Sequence, residues 1–132
     1  MEKNTQAPFV RGYVLSAQCP SRPILQHLTS RWGVLVMLVL LNGTKRFSEL
    51  RNTIDGVSER MLTQTLQQLG QDGMLIRKSF HTVPPHVEYT LTAHGAAAAE
   101  KLKKLVDWLE ESLPDILTTQ EQAAIPPVQR AD

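Results

Sequence analysis

Apolar side chains recur at helical spacing in the middle of the chain. Leu62, Leu66 and Leu69 lie three or four residues apart, which places all three on one face of a helix. Ser58 precedes this segment as a candidate N-cap, and Asp72-Gly73 follows it as a turn that ends a helix. The pattern predicts an amphipathic helix whose other faces are free to meet solvent or a ligand.

A shorter amphipathic segment comes before it. Phe47, Leu50 and Ile54 share one helical face, and Asp55-Gly56 provides the turn between the two segments. Two short helices joined by a glycine-containing turn form a helix-turn-helix, and the second helix of that motif enters the major groove of DNA. The pattern therefore predicts a recognition helix over residues 58–70.

Apolar runs before this motif predict further helices. Ile24 to Thr29 has the spacing of a short amphipathic helix. The run from Trp32 to Leu41 suits either a buried strand or a buried helix. Its length, the candidate cap Ser30 and the Asn42-Gly43 stop favour the helix. A helix that is apolar nearly all round is covered by other helices, so this segment is predicted to be core.

Two short strand-like segments follow the recognition helix. Leu75 to Phe80 and Val87 to Leu91 are bounded by turn signals, and Pro84-Pro85 lies in the connection between them. Adjacent prolines cannot donate to a strand ladder, and they stiffen the tip from His81 to His86. A hairpin directly after a helix-turn-helix is the arrangement of a winged helix.

A long amphipathic helix is predicted to follow the hairpin, with Thr92 as its cap. Its apolar stripe is wider than one wing can cover, so we expect it to pack on the same helix of a second copy. Pro114 is expected to end or kink the helix. The predicted dimerisation residues are Leu102, Leu105, Val106, Trp108, Leu109 and Leu113.

These elements predict a mainly α-helical fold with a small β-hairpin, a winged helix-turn-helix domain with N- and C-terminal dimerisation helices. We expect an N-terminal arm over residues 1–18, and the domain with its dimerisation helix over residues 19–113. A partly disordered C-terminal tail is expected over residues 114–132. A chain of 132 residues is long enough to bury one such core.

The charge pattern is a mild argument against nucleic-acid binding. The formal net charge is +1, and residues 44–90 hold six basic and five acidic side chains. A DNA-facing surface must therefore come from local placement of charge. Because winged helices also serve as protein-binding scaffolds, a protein-interaction module without sequence-specific DNA binding is the alternative function.

The remaining composition bears on the compartment and on other kinds of chemistry. The single cysteine, Cys19, excludes an internal disulfide framework and is typical of a cytoplasmic protein. Acidic Glu2 and the absence of an early apolar segment argue against a secretory signal. The run Val34 to Leu41 is shorter than the about 20 residues of a membrane span. No metal-ligand cluster, phosphate loop, dinucleotide fingerprint or activated serine is evident, so neither a metal, a cofactor nor enzymatic activity is expected.

A set of short motifs along the chain matches a known pattern in order and spacing. They are Cys19-Pro20, Arg31-Trp32, Arg46-Phe47-Ser48-Glu49-Leu50, Leu62-Thr63, Leu66, Leu69, Asp72-Gly73, Arg77, Pro84-Pro85-His86-Val87-Glu88-Tyr89 and Leu91-Thr92-Ala93-His94-Gly95. From Cys19 to about Trp108 the chain resembles the HxlR-type winged-helix transcriptional regulators, relatives of the MarR-like group. Arg31 stands where that family usually has lysine, and Gly70-Gln71 replaces its commoner acidic pair.

The resemblance implies a dimeric regulator of transcription that binds double-stranded operator DNA, often near its own promoter. Some members of the family sense electrophiles or oxidants through the cysteine equivalent to Cys19, so a small-molecule or oxidant effector is a further implied partner. From its chemistry alone Cys19 also suits a small packing residue, whereas Arg22 and a nearby helix start can lower its pKa. Both roles stay open on the sequence.

Candidate DNA contacts fall into two groups. The exposed face of the recognition helix carries side chains that can read base edges: Ser58, Arg60, Thr63, Gln64 and Gln67. The basic connector Thr44-Lys45-Arg46, the shorter helix before the recognition helix and the wing carry candidates for phosphate or minor-groove contacts. These are Lys45, Arg46, Ser48, Arg51, Arg77, Lys78, His81 and His86. Each of these is otherwise an ordinary solvated residue. Arg46 and Arg77 could instead tie the wing to the helix-turn-helix through Glu49 or Asp72.

Overall fold

Helices and a small antiparallel sheet make up residues 13–123, the part of the chain that this computed structural model describes. After a 3₁₀ turn at Tyr13–Leu15, the elements are α1 Ser21–Leu28, α2 Arg31–Leu40, β1 Lys45–Arg46, α3 Phe47–Thr53, α4 Glu59–Gln71, β2 Leu75–Phe80, β3 His86–Leu91 and α5 Ala93–Gln122. The predicted mainly α-helical fold with a winged helix-turn-helix is confirmed. The outer parts of the predicted arm and tail, residues 1–12 and 124–132, lie outside the described residues.

Helix α2 forms the centre of the core. Val36, Met37 and Leu40 are at most 2% exposed, and α4 and α5 pack against this helix. The preference for a helix over a strand is confirmed, and Ser30 caps this helix by accepting a hydrogen bond from the Gly33 amide at 3.1 Å.

Within residues 13–123 no single helix is long and apolar enough to cross a membrane. Helices α1 and α2 meet that test only as a pair, and the pair is bent by 76°.

The sheet has the strand order β1–β3–β2, and both pairings are antiparallel. Strands β2 and β3 form the predicted wing, with Leu75 opposite Leu91 and Phe80 opposite His86. The short strand β1 was expected only as a basic connector. Because Lys45 pairs with Tyr89, this connector joins the wing to the start of α3.

Helix α5 begins where the sequence predicts, since the Thr92 hydroxyl accepts a hydrogen bond from the Gly95 amide at 3.0 Å. Pro114 was expected to end or kink the helix, and the first of these is wrong, because α5 continues to Gln122. Proline leaves the carbonyl four residues earlier without its helical donor. Here that carbonyl belongs to Glu110, an exposed residue, so water can satisfy it. The first part of the predicted tail is therefore helical.

Candidate nucleic-acid interface

The buried face of α4 fixes how this helix lies on the domain. Leu62 and Leu69 are fully buried, and Leu66 is nearly so. Thr65 is also buried, and its hydroxyl donates to the Met61 carbonyl oxygen at 2.8 Å. The predicted cap is confirmed, since Ser58 Oγ accepts from the Met61 amide at 3.1 Å. The helix thus packs with its buried polar group satisfied and its other side in solvent.

The opposite face of α4 presents the side chains that the sequence singled out for base contacts. All five predicted residues of this helix are exposed. Four of them line a shallow depression together with Glu59: Arg60, Thr63, Gln64 and Gln67. A guanidinium, two carboxamides and a hydroxyl therefore lie side by side on one convex helix, which is the chemistry that reads base edges. The hydroxyl of Ser58 is already engaged as the cap.

A cleft of about 720 Å³ separates α4 from the wing. Strand alternation and the pairing of Arg77 with Tyr89 place both side chains on the sheet face that looks toward α4. The residues that line the cleft are Phe47, Thr63, Leu66, Gln67, Gly70, Gln71, Leu75, Arg77, Val87 and Tyr89. The structure thus brings Arg77 beside the recognition helix, with a positive charge in a cleft that has no acidic lining residue.

The basic and polar residues of the connector, α3 and the wing tip are mostly in solvent. Arg46, Ser48, Arg51 and His81 are exposed, whereas Lys45 is half-buried in β1. Arg51 reaches Glu59 at 3.5 Å, and both side chains are about half exposed or more, so this pair contributes little stability. Arg51 is therefore held near the start of α4 without being neutralised in a buried pair.

Two predicted wing residues also have structural partners. His86 stacks on Phe80 with ring centroids 4.7 Å apart, and its Nε2 lies 3.1 Å from a carboxylate oxygen of Glu88. Lys78 Nζ lies 5.1 Å from the centre of the Phe80 ring. These contacts stiffen the outer face of the hairpin. His86 is half-buried, so it is less available to DNA than the exposed His81.

The suggested ties from Arg46 and Arg77 to acidic residues are not found among residues 13–123. Glu49 accepts a hydrogen bond from the backbone amide of Arg46 at 2.7 Å, which is a cap of α3 and leaves the guanidinium out of the contact. Asp72 instead pairs with His27, at 2.6 Å. The carboxylates of Glu49 and Asp72 therefore make contacts that stabilise helices, and neither pairs with the guanidinium of Arg46 or Arg77.

Cys19 lies just before α1 and is half-buried. Its Sγ is 3.0 Å from the hydroxyl of Ser21. The hydrogen bond from the Ser21 side chain is the main reason that the pKa of Cys19 lies below its ordinary value, followed by the Ser21 amide and, more weakly, the charge of Arg22. The sequence pointed to Arg22 and a nearby helix start as groups that can lower this pKa, and Ser21 is a larger cause than Arg22.

The outer face of α5 is apolar and exposed between Leu105 and Leu117. Leu105 and Trp108 are each 56% exposed, and Leu109 and Leu113 are each 44% exposed. Leu102 was expected on this face as well, but it is only 9% exposed and packs in the chain's own core. Val106 is half-buried.

The apolar face also extends beyond the predicted dimerisation residues. Leu117 is 49% exposed and lies one turn beyond Leu113, past Pro114. Sequence reasoning missed it because the helix was expected to end or kink at the proline. The spacing of four residues from Leu113 was the available signal.

Residues 13–123 contain no group of three histidine, cysteine, aspartate or glutamate side chains that could hold a metal ion.

Comparisons with known proteins all find helix-turn-helix transcriptional regulators as similar proteins. The family model described as HxlR-like helix-turn-helix matches residues 27–116. The chain is 52% identical over 113 residues to the uncharacterized HTH-type transcriptional regulator YtfH of Escherichia coli (strain K12), covering 86% of this chain and 90% of that protein. The solved structure of ytfH from Salmonella typhimurium has a TM-score of 0.78 and 53% identity, covering 82% of this chain and 96% of the other. The redox regulator HypR in its oxidized form has a TM-score of 0.64 and 33% identity, over 70% and 96%.

Proposed function

This chain belongs to the HxlR-like helix-turn-helix family and is a transcriptional regulator, and from that premise we propose that it binds a two-fold symmetric DNA operator as a homodimer. Its relatives are regulators rather than enzymes, so no catalytic residue is assigned. We place the DNA-binding and dimerisation functions in residues 19–113, with the further helical turns up to Gln122 extending the dimerisation helix.

The observation that carries this proposal is the exposed polar face of α4. Its 13 residues make a helix of about 20 Å, which fits the major groove lengthwise. Arg60 suits guanine, Gln64 and Gln67 suit adenine, and the Thr63 methyl suits thymine. The α4–wing cleft and the exposed connector residues then supply phosphate contacts that position the helix without reading sequence.

The exposed apolar face of α5 supports the dimeric state. Large apolar side chains along a helix of 30 residues form a contiguous patch that is unfavourable in water. Isologous packing on the same helix of a second copy covers it and relates the two recognition helices by a two-fold axis. The two half-sites should then lie about one helical turn of DNA apart, or a multiple of it.

Arg60→Ala is expected to weaken operator binding by about 1–3 kcal/mol and to relax the base preference at one position in each half-site. The reason is the loss of a bidentate contact from the guanidinium to a guanine. Fluorescence anisotropy with operator and single-base variants measures both effects. Lys104→Ala, which removes an equal charge from the exposed surface of α5, is the matched control. Unchanged affinity and base preference in Arg60→Ala would remove this residue from the interface.

The test of the proposed function is the binding of the purified protein to genomic fragments and to random duplex DNA at several salt concentrations. A regulator should select one sequence, and its affinity should fall steeply as salt rises, because phosphate contacts release counterions. A protein-interaction module would show neither the sequence preference nor the slope. Genomic footprinting with the same protein identifies the operator.

We also propose that Cys19 makes the regulator responsive to oxidants or electrophiles. Its lowered pKa and half-buried position support a reactive thiolate, and HypR, a redox regulator, is among the similar structures. Peroxide would oxidise this thiolate to a sulfenic acid, with hydroxide leaving from the peroxide. An effect of peroxide on operator binding in the wild type and none in Cys19→Ser supports the sensor; equal responses contradict it.

Ser21→Ala is expected to slow the alkylation of Cys19 by iodoacetamide near neutral pH. The lowered pKa makes the thiolate available at lower pH than in an ordinary cysteine, and removing the Ser21 hydroxyl raises that pKa again. The alkylation rate measured as a function of pH should shift toward higher pH in the variant. Ser16→Ala, a nearby exposed serine outside this contact, is the control. An unshifted profile would show that Ser21 does not activate the thiol.

A further inference from the structure

We infer that His27 and Asp72 are positioning residues that hold the carboxyl end of the recognition helix, so that their contact sets how well the protein tells its operator from other DNA. His27 Nδ1 lies 2.6 Å from Asp72 Oδ2, and this contact joins α1 to the end of α4 across 45 residues of sequence. This inference rests on the proposed DNA binding, because it concerns the orientation of α4 in the major groove.

The contact is short and largely shielded from solvent. The two side chains are only 24% and 12% exposed. A carboxylate has no proton to give, so Nδ1 of His27 must carry the hydrogen and donate it. Hydrogen bonds to an ionised group are shorter and stronger than neutral ones. This contact can therefore fix the position of the two backbones it joins.

The location of Asp72 argues that its carboxylate serves this contact. Asp72 is the C-cap of α4, and its amide donates to the Gln68 carbonyl oxygen. A negative charge at the carboxyl end of a helix is disfavoured by the helix dipole. An asparagine would make the same turn without that cost, so the turn alone does not explain an acid here. The partner His27 does explain it.

The helix corner that carries His27 is rigid. The Ser30 hydroxyl donates to the His27 carbonyl oxygen at 2.8 Å, and the same oxygen atom of Ser30 accepts from the Gly33 amide. A Cβ at Gly33 would overlap the His27 carbonyl oxygen, so α1 and α2 approach as closely as a glycine permits. His27 thus projects from a fixed corner toward α4.

The chain just after Asp72 is held from a second side by the start of α5. The Thr92 hydroxyl donates to the Gly73 carbonyl oxygen at 2.6 Å, and the Thr92 amide donates to the Met74 carbonyl oxygen at 3.0 Å. A Cβ at Gly95 would overlap that same Met74 oxygen. Residues 72–74, which follow α4, are therefore held on one side by the corner between α1 and α2 and on the other side by α5, the helix proposed to carry the dimer interface.

Loss of the His27–Asp72 hydrogen bond leaves residues 72–74 held on one side only, by their contacts with the start of α5. The carboxyl end of α4 can then tilt, while its buried leucines keep the helix attached to the core. Base contacts depend on the direction of α4, because both helices of a dimer must enter their grooves together. Phosphate contacts on random DNA tolerate a small tilt better. The expected result is lower discrimination rather than a general loss of binding.

The test compares two variants. His27→Leu fills the space of the imidazole with an apolar side chain that cannot donate a hydrogen bond. His27→Asn has a side-chain amide that can donate from near the position of Nδ1. Affinities for operator and random duplex are measured well below the unfolding temperature of each variant. We expect the ratio of the two affinities to fall about tenfold in His27→Leu, near the lower end of the range for the loss of a hydrogen bond to a charged group. His27→Asn should restore it to within about threefold.

Asp72→Ala and the double variant His27→Leu, Asp72→Ala complete a cycle. Because the two side chains act through one contact, the double variant should discriminate no worse than either single variant. Gln26→Leu, an exposed neighbour on α1, is the matched control and should match the wild type. Additive effects, or an unchanged ratio in His27→Leu, would overturn the inference.

Amide hydrogen exchange separates this inference from the proposed function. In His27→Leu without DNA, the amides of Asp72, Gly73 and Met74 should exchange faster than in the wild type, while those of Leu62 and Thr63 should not change. Unchanged exchange at 72–74 overturns the positioning role. A wild type that shows no operator preference overturns the proposed DNA binding, and the exchange result still decides whether the contact holds α4.

Discussion

The double substitution Leu109→Glu, Leu113→Glu is expected to make the protein monomeric and to weaken operator binding by about 10²–10⁴-fold, the range over which linking two binding modules raises avidity. Both leucines are 44% exposed in the single chain and lie one turn apart on the apolar face of α5. Glutamates at these positions would bring four carboxylates together across a two-fold interface. Neither ion pairing nor full hydration is available to them there.

Sedimentation or light scattering gives the mass of this variant, and anisotropy gives its affinity for a full operator and for a half-site. Lys104→Glu is the matched control, because it changes the net charge by the same amount at an exposed position outside the dimerisation residues. The control should remain dimeric with little loss of affinity. A double variant that stays dimeric would show that this face of α5 is not the interface.

Leu62→Ala is expected to lower the free energy of unfolding by about 2–5 kcal/mol, the range for truncating a leucine in a packed core. Leu62 is 0% exposed and belongs to the cluster that joins α4 to α2 and to α3 through Leu50. Alanine would remove the transfer free energy of the lost atoms and leave a cavity that the neighbouring helices fill only in part. The recognition helix would thereby lose one of the three buried leucines that attach it to the core.

Urea unfolding followed by circular dichroism measures this change. Met61→Ala is the control, since the neighbouring Met61 is 38% exposed and its truncation should cost much less. Equal losses in the two variants would contradict the burial pattern of α4. Because a dimer unfolds with a concentration-dependent midpoint, both variants are compared at one protein concentration.

The recognition helix was predictable from sequence with its cap and its exposed face. Ser58 and the leucine spacing lie within a few residues of the contacts they make, so local pattern is sufficient there. The same holds for the cap Thr92 and for the hairpin. The DNA contacts proposed for the exposed face follow from side-chain chemistry and remain predictions for the binding measurements.

Other features could not be predicted, because their partners are distant in sequence. Strand β1 exists through pairing with Tyr89, and a run of two residues carries no periodicity. Leu102 has the same helical spacing as the exposed leucines, so only the packing of α5 on α2 reveals that it is buried. Pro114 is a helix breaker by local rules, but the exposure of the preceding turn lets the helix continue.

The sequence by itself determined where helices α2, α4 and α5 begin, the two strands of the wing, and which face of α4 is apolar. These properties depend on backbone propensity and on spacings of two to four residues. Only the tertiary structure decided which polar residues meet, as in the contact of His27 with Asp72 across 45 positions. It also decided that Arg77 lies beside α4 and that the Ser21 hydroxyl lies 3.0 Å from the sulfur of Cys19. Directional contacts of this kind depend on the final orientation of packed elements, which periodicity does not encode.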